Sequence, residues 1–255
     1  MNNVNIDSLV RPHLAKIETY DPVEPPESLA AKAGIPEDRV IKLNGNENPS
    51  GASPRVSEAL AELPLHIYPD PFQRRIREAL SSYLGLDSDQ IIVGAGGDEL
   101  IDLLFRLFIS PGDAIVDSEP TFGMYEFYAR VAGADVRTVQ RNEMFDIALP
   151  EVIAAIDSSS AKLVFVASPN NPTGNVASED QVKSLLDTGL IVVVDEAYYE
   201  FCNQTVSSMV SEYENLVVLR TLSKWAGLAG IRVGYGIMNP VLVNRILDIK
   251  PPYNI

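Results

Sequence analysis

The stretch Lys162-Leu-Val-Phe-Val-Ala-Ser-Pro-Asn-Asn-Pro-Thr-Gly-Asn-Val-Ala-Ser-Glu-Asp-Gln-Val-Lys-Ser-Leu-Leu-Asp-Thr-Gly-Leu-Ile-Val-Val-Val-Asp-Glu196 decides the fold. Its two apolar runs, 162–167 and 190–194, are too short for helices and lack the polar alternation of a half-exposed strand, so they read as strands buried on both faces. Between them Ser178 is followed three residues later by Gln181, a capping box that opens a helix over 178–186. A strand, a helix and a second strand at this spacing make a βαβ unit, and its two strands must run parallel.

The same alternation extends outward. Further strands are predicted at 90–93, 114–117, 136–139, 216–219 and 233–237. Helices are predicted through Ile101, Leu104, Phe105 and Phe108, and over 122–131. Ser53-Pro54 reads as an N-cap with proline at the first helical position, and Val56, Ala59, Leu60 and Leu63 follow at helical spacing. Asp70-Pro71 repeats that signal ahead of Phe72, Ile76, Leu80 and Tyr83, until Gly85 stops the helix. The fold class that follows is α/β, three-layered, with a mostly parallel central sheet and helices on both faces. Residues 1–50 differ: Pro22, Pro25, Pro26, Pro36 and Pro49 argue against regular elements, and the segment reads as an arm. Ile6, Leu9, Val10, Leu14 and Ile17 could form only a loose amphipathic helix, since Pro12 interrupts them.

Composition narrows the function classes. The chain has 255 residues, and 20 Lys+Arg against 35 Asp+Glu leave a formal charge of −15. Phosphate-backbone binding needs a cationic face, which argues against a nucleic-acid partner. Cys202 is the one cysteine, and His13 and His66 are far apart, so neither a disulfide nor a metal site is expected. No run approaches the ~20 apolar residues of a spanning helix, and residues 1–9 show no basic-then-apolar progression. The expected location is a reducing compartment, the cytoplasm, away from membranes.

In a parallel sheet, ligands sit beyond the carboxyl ends of the strands. After 162–167 comes Ser168-Pro-Asn-Asn-Pro-Thr-Gly174, either a tight connection or a device that presents Asn171. After 190–194 comes Asp195-Glu196-Ala197-Tyr198-Tyr199; a carboxylate at a buried strand mouth needs a cationic or proton-donating partner, caps a turn, or binds a cation. After 216–219 comes Arg220-Thr-Leu-Ser-Lys224-Trp-Ala-Gly-Leu-Ala-Gly-Ile-Arg232. Lys224 there is a solvated amine or a partly desolvated one suited to Schiff-base chemistry. Gly94-Ala-Gly-Gly97-Asp98-Glu99 leads from a strand into a helix; it is a phosphate cradle or simply places acids at the positive end of a helix dipole.

A lysine amine, a carboxylate, a phenol, a phosphate cradle and an arginine together are what pyridoxal 5′-phosphate (PLP) requires of a protein. Their order adds a resemblance. Lys42-Leu-Asn-Gly-Asn-Glu-Asn-Pro49, Tyr68-Pro-Asp-Pro71, residues 94–99, Pro120-Thr-Phe-Gly-Met-Tyr125, Asn171-Pro-Thr-Gly174, residues 195–198 and residues 221–235 follow one another as in fold-type I PLP-dependent aminotransferases. Among these the chain is most similar to the histidinol-phosphate aminotransferase group. The resemblance implies that Lys224 holds the cofactor and shuttles the substrate proton, that Asp195 pairs with the pyridine nitrogen, and that Tyr198 and Asn171 contact the phenolic oxygen. It implies that Phe122 stacks on the ring, and that the Gly97 and Asp98 amides, Thr221, Ser223 and Arg232 hold the phosphate. Tyr68 is expected to reach the partner's cofactor across a homodimer, and Tyr20 and Asn46 to meet substrate.

The implied reaction moves an amino group between glutamate and a keto-phosphate, imidazole acetol phosphate, in histidine biosynthesis. Threonine-phosphate decarboxylation, aromatic or broad-range transamination, and a non-catalytic PLP-binding fragment are the rival expectations. Family members continue into a small domain whose arginines grip the substrate. The chain is therefore expected to hold the arm and part of the small domain in 1–50 and the PLP-binding large domain in 51–255, with the C-terminal small domain absent and its contact surface left apolar.

Overall fold

The computed structural model describes residues 4–255, so the first three residues of the N-terminal stretch read above lie outside it. Among the described residues, the strands β1 (Ile91–Ala95), β2 (Ala114–Glu119), β3 (Asp135–Gln140), β4 (Ala161–Ala167), β5 (Ile191–Asp195), β6 (Leu216–Thr221) and β7 (Val233–Met238) form one sheet in the order β1-β7-β6-β5-β4-β2-β3. Pairing is parallel from β3 through β6, whereas β7 runs antiparallel to both β6 and β1. That reversal shapes the site. An antiparallel neighbour needs no crossover helix, so residues 222–232 turn back directly at the carboxyl end of β6 and lay Lys224 along the edge where β4 and β5 also finish.

The helices are α1 (Pro26–Ala33), α2 (Pro54–Ala61), α3 (Arg74–Leu84), α4 (Gly96–Phe108), α5 (Met124–Ala132), α6 (Leu149–Asp157), α7 (Glu179–Leu186) and α8 (Pro240–Ile249). Strand residues alternate between two cores. Phe165, Val193, Val217 and Met238 pack with Leu100, Leu104, Tyr125 and Ile246 from α4, α5 and α8. Val164, Val166, Val192 and Val218 pack with Leu80, Val152, Val182 and Leu185 from α3, α6 and α7. This is the expected three-layer arrangement. Each such side chain contributes about 1.5–3 kcal/mol on burial, and because both faces are covered the central strands β4, β5 and β6 need no polar alternation, whereas the edge strand β3 is largely exposed.

Local signals explain most boundaries. The Ser178 capping box forms, with Gln181 N–H donating to Ser178 Oγ at 3.2 Å and Ser178 N–H to Gln181 Oε1 at 2.9 Å. Pro54 stands at the start of α2, but the Ser53 side chain makes no capping bond. The helix expected directly after Asp70-Pro71 begins only at Arg74. Gln73 sits in the left-handed region with φ 56°, and its buried amide bonds both backbone groups of Val93, at 2.7 and 3.1 Å. Gln73 thus satisfies the open edge of β1, which a longer helix would leave bare.

The first fifty residues depart from expectation in one respect: α1 is a regular helix. Pro26 occupies its first position, where an N–H would be orphaned in any case, and Gly34 closes it with φ 65°. Paired prolines here start a helix and do not forbid one. The loose amphipathic helix is reduced to a 3-10 turn at Ile6–Leu9, with Ile6 and Leu9 both exposed. The arm then lies on α5, where His13 Nε2 meets the Val131 carbonyl at 3.2 Å and Tyr20 packs edge-on against Phe127.

Candidate active site

Three chain segments converge at the carboxyl edge of the sheet. Asp195 is the last residue of β5, Thr221 the last of β6, and Gly96 opens α4 directly after β1. They surround two adjoining cavities of about 250 and 500 Å³. Gly97, Asp98, Thr221, Ser223 and Arg232 line the smaller. Tyr20, Asn46, Asn171 and Tyr198 line the larger, and Phe122, Asp195 and Lys224 line both. Every sequence-expected site residue except Tyr68 therefore faces one continuous space.

Adjacent carboxylates 195 and 196 separate to opposite sides. Glu196 turns away into a buried pair with Arg220 at 2.8 Å, and accepts further bonds from Thr205 Oγ1 and Val206 N–H. The Arg220 guanidinium also lies 3.6 Å over the Tyr199 ring. Asp195 faces the cavities. Its Oδ2 accepts from the Tyr125 hydroxyl at 2.7 Å and its Oδ1 from the Ala197 N–H at 3.0 Å. Burial raises the Asp195 pKa, and these two donors pull against that by favouring the charged form.

Lys224 makes no ion pair or hydrogen bond through Nζ among the described residues, and its Nζ stands 5.7 Å from the centre of the Tyr198 ring. Desolvation lowers its pKa; Asp98, Asp195 and Glu47 oppose the shift from a distance. A half-buried amine with a lowered pKa is neutral, and so nucleophilic, over more of the pH range than a surface lysine. Across the cavity Asn46 Nδ2 donates to Tyr198 Oη at 2.8 Å, and Asn48 Nδ2 to the Trp225 carbonyl at 2.9 Å. The segment 46–48 thereby closes over the lysine loop.

The smaller cavity is a donor-rich pocket. Thr221 and Ser223 hydroxyls are bonded to each other at 2.9 Å, and the start of α4 contributes unsatisfied N–H groups. Arg232 reaches across Gly96 to pair with Asp98 at 3.0 Å. A Cβ on Gly96 would lie 2.4 Å from Arg232 Nη2, and one on Gly234 would lie 2.4 Å from the Gly97 nitrogen. Both glycines hold space that side chains would fill. Tyr68 lies elsewhere: it is 78% exposed and packs on Tyr253 at 4.9 Å, beside exposed Leu65 and Ile67.

Three features are not legible in the sequence. Tyr125 lay inside a quoted motif, yet nothing local marked it as a partner of Asp195. The Glu196–Arg220 pair is formed by residues 24 apart, one just past the end of β5 and the other on β6. Gly96 was legible only as part of a glycine-rich turn.

A half-buried amine, a partly buried carboxylate that accepts two hydrogen bonds, a phenol and an anion cradle line one cavity system, and this donor set fits a phosphorylated pyridine aldehyde. The comparisons agree. The family model for aminotransferase class I and II matches residues 38–255, and the chain belongs to that family. It is 48% identical to a histidinol-phosphate aminotransferase of Roseiflexus castenholzii over 98% of this chain and 69% of that protein. It is 45% identical to histidinol-phosphate aminotransferase 1, chloroplastic, of Arabidopsis thaliana over 98% of this chain and 60% of that protein. Among solved structures, the histidinol-phosphate aminotransferase of Sinorhizobium meliloti in complex with pyridoxal-5′-phosphate superposes with a TM-score of 0.87 at 25% identity, covering 97% of this chain and 68% of that one.

Proposed function

We propose that this chain acts in PLP-dependent transamination between glutamate and imidazole acetol phosphate, the reaction of a histidinol-phosphate aminotransferase. The observation that carries the reading is the convergence of Lys224, Asp195, Tyr198 and Arg232 on one cavity system, supported by the 48% identical relative. When bound, PLP supplies an electron sink for the bonds at the substrate Cα. Lys224 holds the cofactor and, once released, carries the proton at its Nζ. Asp195 keeps the pyridine nitrogen protonated, Tyr198 and Asn171 hold the phenolic oxygen, and Phe122 covers the ring face. Thr221, Ser223, Arg232 and the N–H groups of Gly97 and Asp98 hold the phosphate. Tyr20 and Asn46 meet the substrate.

The same reading assigns residues 51–255 to the cofactor-binding domain and 1–50 to the arm with part of a small domain. It places the protein in the cytoplasm as a homodimer in which Tyr68 reaches the partner's cofactor. The exposed apolar run Leu63, Leu65, Ile67 and Tyr68 supports such an interface. Among the described residues no helix is long and apolar enough to cross a membrane.

The test is to load the protein with PLP, reduce it with borohydride and map the pyridoxyl label. Label on Lys224, lost in K224A, together with glutamate-driven conversion of the cofactor to its amine form, is the expected result. An unlabelled wild-type chain overturns the reading, and CO₂ release from a phosphorylated amino acid would replace transamination with decarboxylation.

A further inference from the structure

Tyr125 belongs to α5 and is fully buried, a poor place for a phenol unless its hydroxyl has a partner. Its ring stacks on Phe165 of β4 at 4.5 Å with an interplanar angle of 15°, and meets Phe122 edge-on at 5.5 Å. These contacts leave the ring one orientation, and in it the hydroxyl donates to Asp195 Oδ2 at 2.7 Å. We infer that Tyr125 is a positioning residue of the reaction, holding the Asp195 carboxylate in place and ready for the cofactor while bracing Phe122 from behind.

The physical argument is one of donors. Asp195 is partly buried and has no cation within ion-pair distance among the described residues, so what favours its carboxylate form there is hydrogen bonding. Ala197 N–H serves Oδ1 and Tyr125 serves Oδ2. The phenol keeps its proton, because burial first, and then Asp195 and Asp117 of β2, oppose ionisation of the ring. The charged groups facing this pair are Asp117 and Arg141 beside Tyr125, and Asp98 and Lys224 beside Asp195. None of them replaces the hydroxyl as a close donor to Oδ2. Without that hydroxyl the carboxylate would be free to turn and would take up a proton more readily, weakening its hold on a protonated pyridine.

This inference rests on the proposed PLP site, and the experiment separates the two. Wild type, Y125F, D195N and the double variant are loaded with PLP, and two quantities are read: cofactor affinity, and the pH midpoint of the absorbance of the Lys224-linked cofactor. Phenylalanine keeps the stack on Phe165, so Y125F removes only the oxygen. A hydrogen bond to a charged group predicts a loss of about ten- to a hundredfold in affinity and a displaced pH midpoint. In the D195N background the same substitution is expected to change affinity by less than about twofold, since the two residues act as a unit. Wild type that takes up no cofactor overturns both readings. Wild type that loads normally, with Y125F matching it in affinity and pH midpoint or adding its full effect to that of D195N, overturns the role of Tyr125 alone. Y125L, which removes the ring as well, guards against a purely structural account: a structural role predicts a lower melting temperature for Y125L with an unmoved pH midpoint in Y125F.

Discussion

Asn46 and Tyr198 are 152 residues apart in sequence, yet Asn46 Nδ2 donates to Tyr198 Oη at 2.8 Å across the mouth of the larger cavity. The bond joins the irregular segment before α2 to the loop after β5. It also favours the ionised phenol, opposing the rise that burial imposes on Tyr198.

Substitution N46A removes this donor without touching the sheet. Glutamate-driven turnover is expected to fall about five- to tenfold, the effect of a single net hydrogen bond. Global stability should fall by no more than about 1 kcal/mol, since the position is exposed and the cost is that of alanine at the left-handed φ of 49° which asparagine tolerates better. Steady-state kinetics alongside urea melts check both; equal losses in activity and stability would show that the bond serves the fold.

Arg220 and Glu196 are each 2% exposed. Removing one partner strands a buried charge, so R220M is expected to lose about 3–5 kcal/mol in denaturant melts. The double variant R220M/E196M should recover much of that loss, because two apolar chains of similar volume leave no uncompensated charge.

Gly234 of β7 has no room for a side chain, since an added Cβ would meet the Gly97 nitrogen at 2.4 Å and the Gly96 carbonyl carbon at 2.5 Å. Both obstacles are backbone and cannot swing aside. G234A is expected to cost about 3 kcal/mol and to weaken phosphate or PLP binding by pushing the start of α4 off the strand. G230A, whose new methyl meets nothing within 4 Å, is the comparison that should leave the melting curve nearly unmoved.

Asp117 is buried, neither of its oxygens has a hydrogen-bond partner, and burial reinforced by Glu119 pushes its pKa up to about 7. Arg141 opposes that rise and Glu126 adds to it. The folded value exceeds the unfolded one, about 3.9, so the stabilising contribution is fully present below that value and is lost as pH rises through about 7. D117N does not titrate. Its stability relative to wild type is expected to improve by about 1–2 kcal/mol between pH 5.5 and pH 8, read from urea melts at the two pH values. A gap independent of pH would mean that Asp117 is charged throughout.

The sequence by itself determined the strands, the order of the motifs and the chemistry at the strand ends. Runs such as 162–167 and 190–194 are apolar because both faces of β4 and β5 are covered, and that property is local enough to read residue by residue. Ser178 with Gln181, and Gly85 after Leu84, set their helix ends for the same reason: a cap is made by atoms a few residues away. Tertiary structure alone decided that Glu196 turns away to Arg220, that β7 runs backward and so brings Lys224 to the shared edge, that Gln73 delays α3 to cover β1, and that Tyr125 meets Asp195. Each of these depends on a partner 13 or more residues distant. Sequence spacing carries no record of distance through space; which groups meet is fixed only when the apolar layers pack.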